Sequence, residues 1–326
     1  MIGTRTPFRI SFVGGGTDLR EFYSRHPGCV VSTTINKYMY IFVHRFFEKK
    51  IQVKYSRTEL VRDVNEIRHP IVREALKKLG LNRLDINSIA DIPAGTGLGS
   101  SSSFAVGLLH ALYAYMSKYQ SKEKLAQGAC SIEIDMLEEP IGKQDQYAAA
   151  YGGLNFITFC PNEDVNVEPI IMHRDKLLEL ENNLLLFYTG KTRDANDILS
   201  DQRSNIINDK EKFSGLIRMT ELAKHLRRSL VKGNLDDFGL ILDENWQLKK
   251  SLSDKISQSR IDKLYEIALK NGAKGGKLLG AGGGGFLAFY CEMKRQESVR
   301  RALADLEELT FSFDSFGSRV IYVGDE

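Results

Sequence analysis

Cysteine is scarce in this chain, and the few that occur are far apart. Cys29, Cys130, Cys160 and Cys291 are the four in 326 residues. No two form a C-x-x-C pair, so neither a zinc site nor a disulfide framework is readable, and a reducing cytoplasm is the expected setting. No apolar run is long enough to span a bilayer. The N-terminus lacks a charged start followed by an apolar stretch, so no signal peptide is expected. An excess of charge of one sign is missing too. The 45 basic and 42 acidic residues leave a net charge of +3, too balanced to argue for nucleic acid or an anionic membrane as partner. No internal repeat is found, and no low-complexity segment beyond the glycine-rich loops.

What is present suits a globular chain of two domains. The first half alternates strand-like and helix-like segments. "FRISFVGG" reads as a strand entering a glycine turn. "KYMYIFVHRFF" and "KIQVKYS" read as two strands with "EKK" in the turn between them. "HPIVREALKKLGL" reads as a helix with Pro70 near its start and Gly80 near its end. "LDINSIADIP" is an expected strand, "SKEKLAQGACSIEIDMLEEP" an expected helix stopped near Pro140, and "LNFITFC" again a strand. The domain change is expected within residues 161–190, giving units of 1–180 and 181–326. The second half carries expected helices around Ile206–Lys232, Leu235–Leu252 and Ser259–Lys270. The strand candidates "GFLAFYC" and "SRVIYVG" flank the helix "QESVRRALADLEEL", an α+β order.

Three glycine clusters stand out: "FVGGGTDL" at 12–19, "PAGTGLGSSSS" at 93–103 and "KLLGAGGGGFLAF" at 277–289. Glycine permits positive φ and close approach of backbone to another group. Successive N–H groups then converge on one concavity, which suits a phosphate. The central cluster leads from a strand into the helical pattern of Phe104, Leu108, Leu112 and Tyr115, so it adds a helix N-terminus to that concavity. A flexible linker is the competing reading, but strand and helix flank it directly. One serine would serve as an N-cap; four after G-x-G-x-G exceed that need. Pro93, Gly95, Gly97, Leu98, Gly99 and Ser100 to Ser103 are therefore the candidate polyphosphate-binding residues, with Ser101 or Ser102 reaching a phosphate or its Mg²⁺. No lysine follows the glycines, so this is not a Walker A loop. "NGAKGGKLL" also fails, its spacing one residue short and Lys277 followed by Leu278. Gly280, Gly282 and Gly285 match G-x-G-x-x-G, but a strand follows where a dinucleotide loop needs a helix.

Glu133 and Asp145, in "CSIEIDMLEEPIGKQDQY", form a candidate acidic pair. Glu133 is read on a helix and Asp145 in the loop after it. In phosphoryl transfer one carboxylate holds Mg²⁺ and the other accepts the acceptor's proton. On spacing alone a solvated Glu133 and an N-cap Asp145 compete with that reading.

Taken together, "RISFVGGGTD", "PAGTGLGSSSS" and "KLLGAGGGGF" resemble the three ordered motifs of the GHMP kinases, and they span almost the whole chain. "FVGGGTDL", "STTINKYMY", "HPIVREAL", "PIGKQDQYAAAYGGLNF" and "NNLLLFYTG" look like the D-glycero-D-manno-heptose 7-phosphate kinases. The resemblance implies a ribosomal-S5-like α/β N-terminal domain, a ferredoxin-like α+β C-terminal domain and a cleft between them. It implies ATP and Mg²⁺ as cofactors and a small-molecule sugar phosphate as partner, with a homodimer left open. Phosphorylation of the anomeric hydroxyl of a heptose 7-phosphate would follow, toward nucleotide-activated heptose for bacterial surface glycans. By the same resemblance Asp145 is the catalytic carboxylate and Arg9 stabilises charge near the attacking oxygen. Asp18, nine residues on, accepts hydrogen bonds from sugar hydroxyls. Glu133 and Ser101 or Ser102 hold the metal. Gly15, Gly16, Thr17, Gly282 and Gly283 are expected to meet the substrate, with Lys143 and Arg193 (and neighbouring Lys191) as cations for its distal phosphate. "GGGTD" stands where galactokinases carry "GEHTD", so Gly14, Gly15 and Gly16 are expected to leave room for a bulkier sugar. Competing readings are an anomeric kinase for fucose, an N-acetylhexosamine or a uronic acid, a dinucleotide-binding oxidoreductase, and a non-catalytic sugar sensor.

Overall fold

The computed structural model describes residues 1–190 and 195–324. Two long antiparallel strands, β1 (Ile2–Val13) and β2 (Gly28–Arg45), form the spine of the first unit, with the short helix α1 (Arg20–Tyr23) between them. From Met39 onward β2 alternates buried Met39, Ile41 and Val43 with partly exposed Tyr40, Phe42 and His44. That is the period of a sheet covered on one face. Its first half, by contrast, is buried on both faces, because a helix of the second unit packs there.

Next come β3 (Ile51–Lys54), β4 (Thr58–Val61), α2 (Pro70–Leu79) and β5 (Leu84–Ala90). Helix α2 begins on Pro70 and ends at Gly80, whose φ of +65° is the left-handed stop that glycine supplies. The hairpin expected between "KYMYIFVHRFF" and "KIQVKYS" does not form. Strand β5 takes the free edge of β2, pairing Met39 with Ala90 through Arg45 with Leu84, while β1 holds the other edge. Strand β3 is left to pair in parallel with β5, Gln52 opposite Asp85.

The unit continues with α3 (Ser100–Tyr115), α4 (Lys122–Cys130), α5 (Gln144–Tyr151), β6 (Asn155–Phe159) and β7 (Val165–Pro169). The single helix expected to run to Pro140 instead stops at Cys130 and widens into a π-helical turn over Ser131–Met136. Such widened turns occur frequently at functional sites.

The second unit runs α6 (Arg174–Asn182), β8 (Leu184–Tyr188), α7 (Ala195–Asn208), α8 (Lys210–Val231), α9 (Phe238–Ser251) and α10 (Ser259–Lys270). Helix α7 was not anticipated. It is separate from α8 because Asp209 caps the latter, accepting from Glu211 N at 2.9 Å and Lys212 N at 3.2 Å. Then follow β9 (Gly275–Leu278), β10 (Phe286–Tyr290), α11 (Met293–Ala302), β11 (Glu307–Glu308), β12 (Phe313–Asp314) and β13 (Arg319–Val323). Four strands make an antiparallel sheet in the order β11-β8-β10-β9. The last two strands leave this unit: β12 pairs with β2 and β13 with β1, in the larger sheet ordered β13-β1-β2-β5-β3-β4. The expected boundary at residue 180 falls inside α6, between the last strand of the larger sheet before it (β7) and the first of the smaller sheet (β8), and β12 and β13 lie on its far side although they belong to the larger sheet. No described helix is long and apolar enough to cross a membrane.

Candidate active site

All three glycine clusters meet at one cleft of about 350 Å³. In the central loop Gly95, Gly97 and Gly99 have φ of +77°, +85° and +77°. The alternate glycines are thus a conformational requirement. A Cβ on Gly97 would sit 2.4 Å from the Leu279 carbonyl oxygen, and one on Gly280 would sit 2.5 Å from Gly97 Cα. Central and third loops touch backbone to backbone, which explains why both are glycine-rich.

The four serines divide their work. Helix α3 starts at Ser100 behind Gly99, and no side chain caps it. The N-cap role weighed against phosphate binding is therefore not filled by any serine, and the helix N-terminus faces the cleft with its backbone N–H groups uncapped by a side chain. Ser100, Ser101 and Ser102 line the cleft. Ser101 Oγ donates to Glu133 Oε1 at 2.7 Å. Ser103 Oγ instead donates to the Pro7 carbonyl at 2.8 Å, pinning α3 to β1.

Glu133 sits on the π-helical turn, 1% exposed. Gln146 Nε2 donates to its Oε2 at 2.8 Å. Burial pushes its carboxyl up to about 7, against the opposing pull of these hydrogen bonds. Asp145 lies in the first turn of α5 and not in the loop before it. Arg9, on β1, grips it with two bonds: Nε to Oδ1 at 2.7 Å and Nη2 to Oδ2 at 2.5 Å. Arg9 Nη1 also donates to the Gly97 carbonyl at 2.6 Å, so one guanidinium ties the carboxylate to the glycine loop. Asp18 Oδ1 accepts from Gly16 N at 2.9 Å and its Oδ2 from Gln144 N at 3.2 Å. Burial raises its pKa above the usual carboxylate range. Gly15 lines the same wall.

Other residues expected at the site lie elsewhere. Thr17 is wholly buried, its hydroxyl bonded to the carbonyls of Gly14 and Cys29. Lys143 pairs with Glu163 and stands over the Tyr23 ring, in a separate depression. Gly282 and Gly283 pack on Ile256: a Cβ on Gly282 would meet its carbonyl oxygen at 2.7 Å, and Gly283 N donates to it at 2.9 Å. Pro93 lines another groove with Tyr188 and Phe286. Leu98 is a core residue whose carbonyl accepts from Arg9 N at 3.0 Å. Arg193 and Lys191 lie outside the described residues. The glycines of "GGGTD" do not all make room for substrate. The space beside Gly14 is filled by the Cys29 carbonyl and that beside Gly16 by the Gln202 amide, so only at Gly15 would a Cβ fit, in ordinary contact with Gln144 and Ser11.

The structure adds residues that sequence reading missed. Lys249 of α9 and Lys277 of β9 are both buried on the cleft wall. Lys277 Nζ donates to the carbonyls of Ser11 at 2.8 Å and Phe12 at 3.0 Å. Its place inside the apolar strand "GGKL" was the available signal. Gln202 of α7 is 1% exposed and lines the cleft, and its Nε2 has no hydrogen-bond partner among the described residues. Nothing in its sequence surroundings marked it.

The arrangement can bind an anion at a helix N-terminus, hold a divalent cation on oxygen donors and take a proton on a carboxylate paired with a guanidinium. Comparison with known proteins agrees. Residues 59–153 match the family model of the GHMP kinases N terminal domain, and residues 226–308 that of the GHMP kinases C terminal domain. The D-glycero-alpha-D-manno-heptose 7-phosphate kinase of Campylobacter jejuni is 29% identical, covering 93% of each chain. The galactokinase of Pyrococcus furiosus is 25% identical over 93% of this chain and 92% of its own. Among solved structures, a D-glycero-D-manno-heptose 1-phosphate kinase from Bacteroides thetaiotaomicron superposes with a TM-score of 0.82 at 25% identity, covering both chains fully. The chain belongs to the GHMP kinases, with their two-domain mixed α/β fold, and is a sugar kinase of that family.

Proposed function

We propose that this chain transfers the γ-phosphoryl group of ATP to the anomeric C1 hydroxyl of D-glycero-D-manno-heptose 7-phosphate, giving the 1,7-bisphosphate. This is a step toward nucleotide-activated heptose for bacterial surface glycans. The observation that carries the chemistry is Asp145, gripped by Arg9 and set beside the glycine loop. The sugar rests on the resemblance of "GGGTD" and "GKQDQ" and on the Campylobacter relative.

In this reading the loop 95–102 and the start of α3 hold the triphosphate, and Asp18 and Gly15 meet the sugar. Asp145 takes the proton of the C1 hydroxyl as its oxygen attacks the γ-phosphorus, and the bond to the β-phosphate oxygen breaks to release ADP. Arg9 keeps Asp145 aimed and offsets the charge that develops. Glu133 and Ser101 suit Mg²⁺, because one buried carboxylate, one hydroxyl and the substrate's own phosphates are the hard oxygen donors that ion favours. When bound, the ion supplies charge neutralisation at the phosphates. Residues 1–180 form the nucleotide-binding unit and residues 181–326 the second unit, whose last strands return to the first sheet.

An acceptor panel tests the reading. Purified protein with Mg-ATP is given heptose 7-phosphate, heptose 1-phosphate, free heptose, fucose, an N-acetylhexosamine, a uronic acid and galactose, and ADP release and the ³¹P spectrum are followed. A new anomeric phosphate signal from heptose 7-phosphate at the highest kcat/KM is expected. Equal use of free heptose, or faster use of another sugar, removes the heptose-phosphate assignment.

A further inference from the structure

Lys249 presents a chemical problem that the proposed mechanism leaves unsolved. The residue is 6% exposed, on the wall of the active-site cleft. Burying a cation is costly unless a charge partner compensates it. Arg9 has such a partner in Asp145. Lys249 has none within contact: among the described residues its Nζ donates only to the Gly280 carbonyl, at 2.5 Å. Lys277, the other buried lysine, is committed to two backbone carbonyls at the end of β1. A cation kept in a cleft with spare donors implies an anion that arrives with the substrates.

Position says which anion. Gly280 abuts Gly97 of the nucleotide loop, and Gly97 accepts from Arg9, which holds Asp145. Lys249 thus stands at the junction of the nucleotide loop and the acceptor's carboxylate, where the phosphoryl group passes between them. We infer that Lys249 is a catalytic residue that contacts the transferring phosphoryl group and stabilises its charge as the bond to ADP breaks. This rests on the kinase reading but not on which sugar is the acceptor.

Burial, with Arg9 nearby, lowers the Lys249 pKa to about 8, while Asp18 and Asp145 oppose the shift. The charged groups facing it are Arg9 from β1, Asp18 from the following loop, Asp145 from α5 and Lys277 from β9.

The test compares wild type with Lys249→Met and Lys249→Arg. Lys249→Met should lower kcat by roughly 10²–10³-fold, the usual loss for one preorganised charge-stabilising donor, with KM for ATP and sugar little changed. Lys249→Arg should restore much of the rate and move the basic limb of the pH profile upward. A second measurement needs no sugar and no turnover: affinity for Mg-ADP with and without aluminium fluoride, which mimics the transferring group. Wild type should gain affinity with the fluoride. Lys249→Met should lose that gain and keep its ADP affinity, which also shows that it is folded. A Met variant with near wild-type kcat, or with the fluoride gain intact, overturns the inference. Wild type that gains affinity with the fluoride yet phosphorylates none of the sugars would overturn the acceptor assignment and leave Lys249 in place.

Discussion

Arg9 and Asp145 meet side by side, two nitrogens of the guanidinium on two oxygens of the carboxylate, at 2.7 and 2.5 Å. The pair bridges β1 and α5, 136 residues apart in sequence, and its geometry leaves the carboxylate little rotational freedom. Asp145→Asn should therefore act on the chemical step. A loss of about 10²–10⁴-fold in kcat is expected, with KM much less affected. Steady-state kinetics on both substrates measure it, and a near wild-type kcat would reduce Asp145 to an ion-pair partner of Arg9.

Gly97→Ala should damage fold and nucleotide binding together. The new Cβ would lie 2.4 Å from the Leu279 carbonyl oxygen, at a φ of +85°. Backbone strain alone costs roughly 1–3 kcal/mol, and separating the two glycine loops opens the cleft. Thermal melting and titration with a fluorescent ATP analogue should both shift. Unaltered ATP affinity would remove the loop from the nucleotide site.

Glu133→Gln should raise the Mg²⁺ concentration needed for half-maximal rate, because it removes the one carboxylate that Ser101 and Gln146 hold in place. Excess Mg²⁺ should recover part of the activity, and a chelator should abolish the wild-type rate. An unchanged metal requirement in Glu133→Gln would show that the ion is held elsewhere.

Gln202→Ala should raise KM for the sugar and spare KM for ATP. Its Nε2, without a hydrogen-bond partner among the described residues, fills the space beside Gly16, on the wall that carries Asp18. Loss of one neutral hydrogen bond, about 0.5–1.5 kcal/mol, corresponds to roughly 2–13-fold. A matched rise in KM for ATP would argue for a general loosening of α7 instead.

Acid should destabilise the protein in a window that begins at the ordinary histidine pKa. His69 lies against Phe104, ring centroids 4.6 Å apart, and edge-on to Tyr55 at 4.8 Å. Burial lowers its pKa, with Glu59 pulling the other way. Because the folded pKa lies below the unfolded value of about 6.5, the unfolded state binds more protons in between. Stability is then fully present above about pH 6.5 and declines as pH falls from there through the folded pKa. Melting temperature against pH should show this, and His69→Phe should flatten it. Equal slopes in wild type and variant would place the acid sensitivity elsewhere.

Much of the site was readable because its residues carry local signatures. Alternating glycines announce positive φ, and a proline and a glycine bracket α2 at its observed ends. The nine-residue spacing of Arg9 and Asp18 follows a motif, and both line the cleft. What was missed depends on tertiary packing. Lys143 looked like a substrate cation because it neighbours Asp145, yet its side chain finds Glu163 across the surface. Lys249 falls in the expected helix around Leu235–Leu252 with no local motif to mark it, and the packing of α9 against β9 turns it inward. Strand β3 was misplaced because adjacency in sequence favours a hairpin, whereas β5 competes for the same edge of β2.

Strand β13 hydrogen-bonds to β1, with Ile2 opposite Val323 and Arg5 opposite Arg319. The first and last strands of this fold are therefore neighbours, and the whole second unit is enclosed between them like an insertion. Closing so long a loop carries an entropic cost that grows only slowly with length, but it ties the fates of the two units together. The larger sheet is not complete until residues more than 300 positions apart have met. The two units should therefore melt in a single cooperative transition. Cutting the chain between them would strip an edge from the larger sheet and would not release two independent domains.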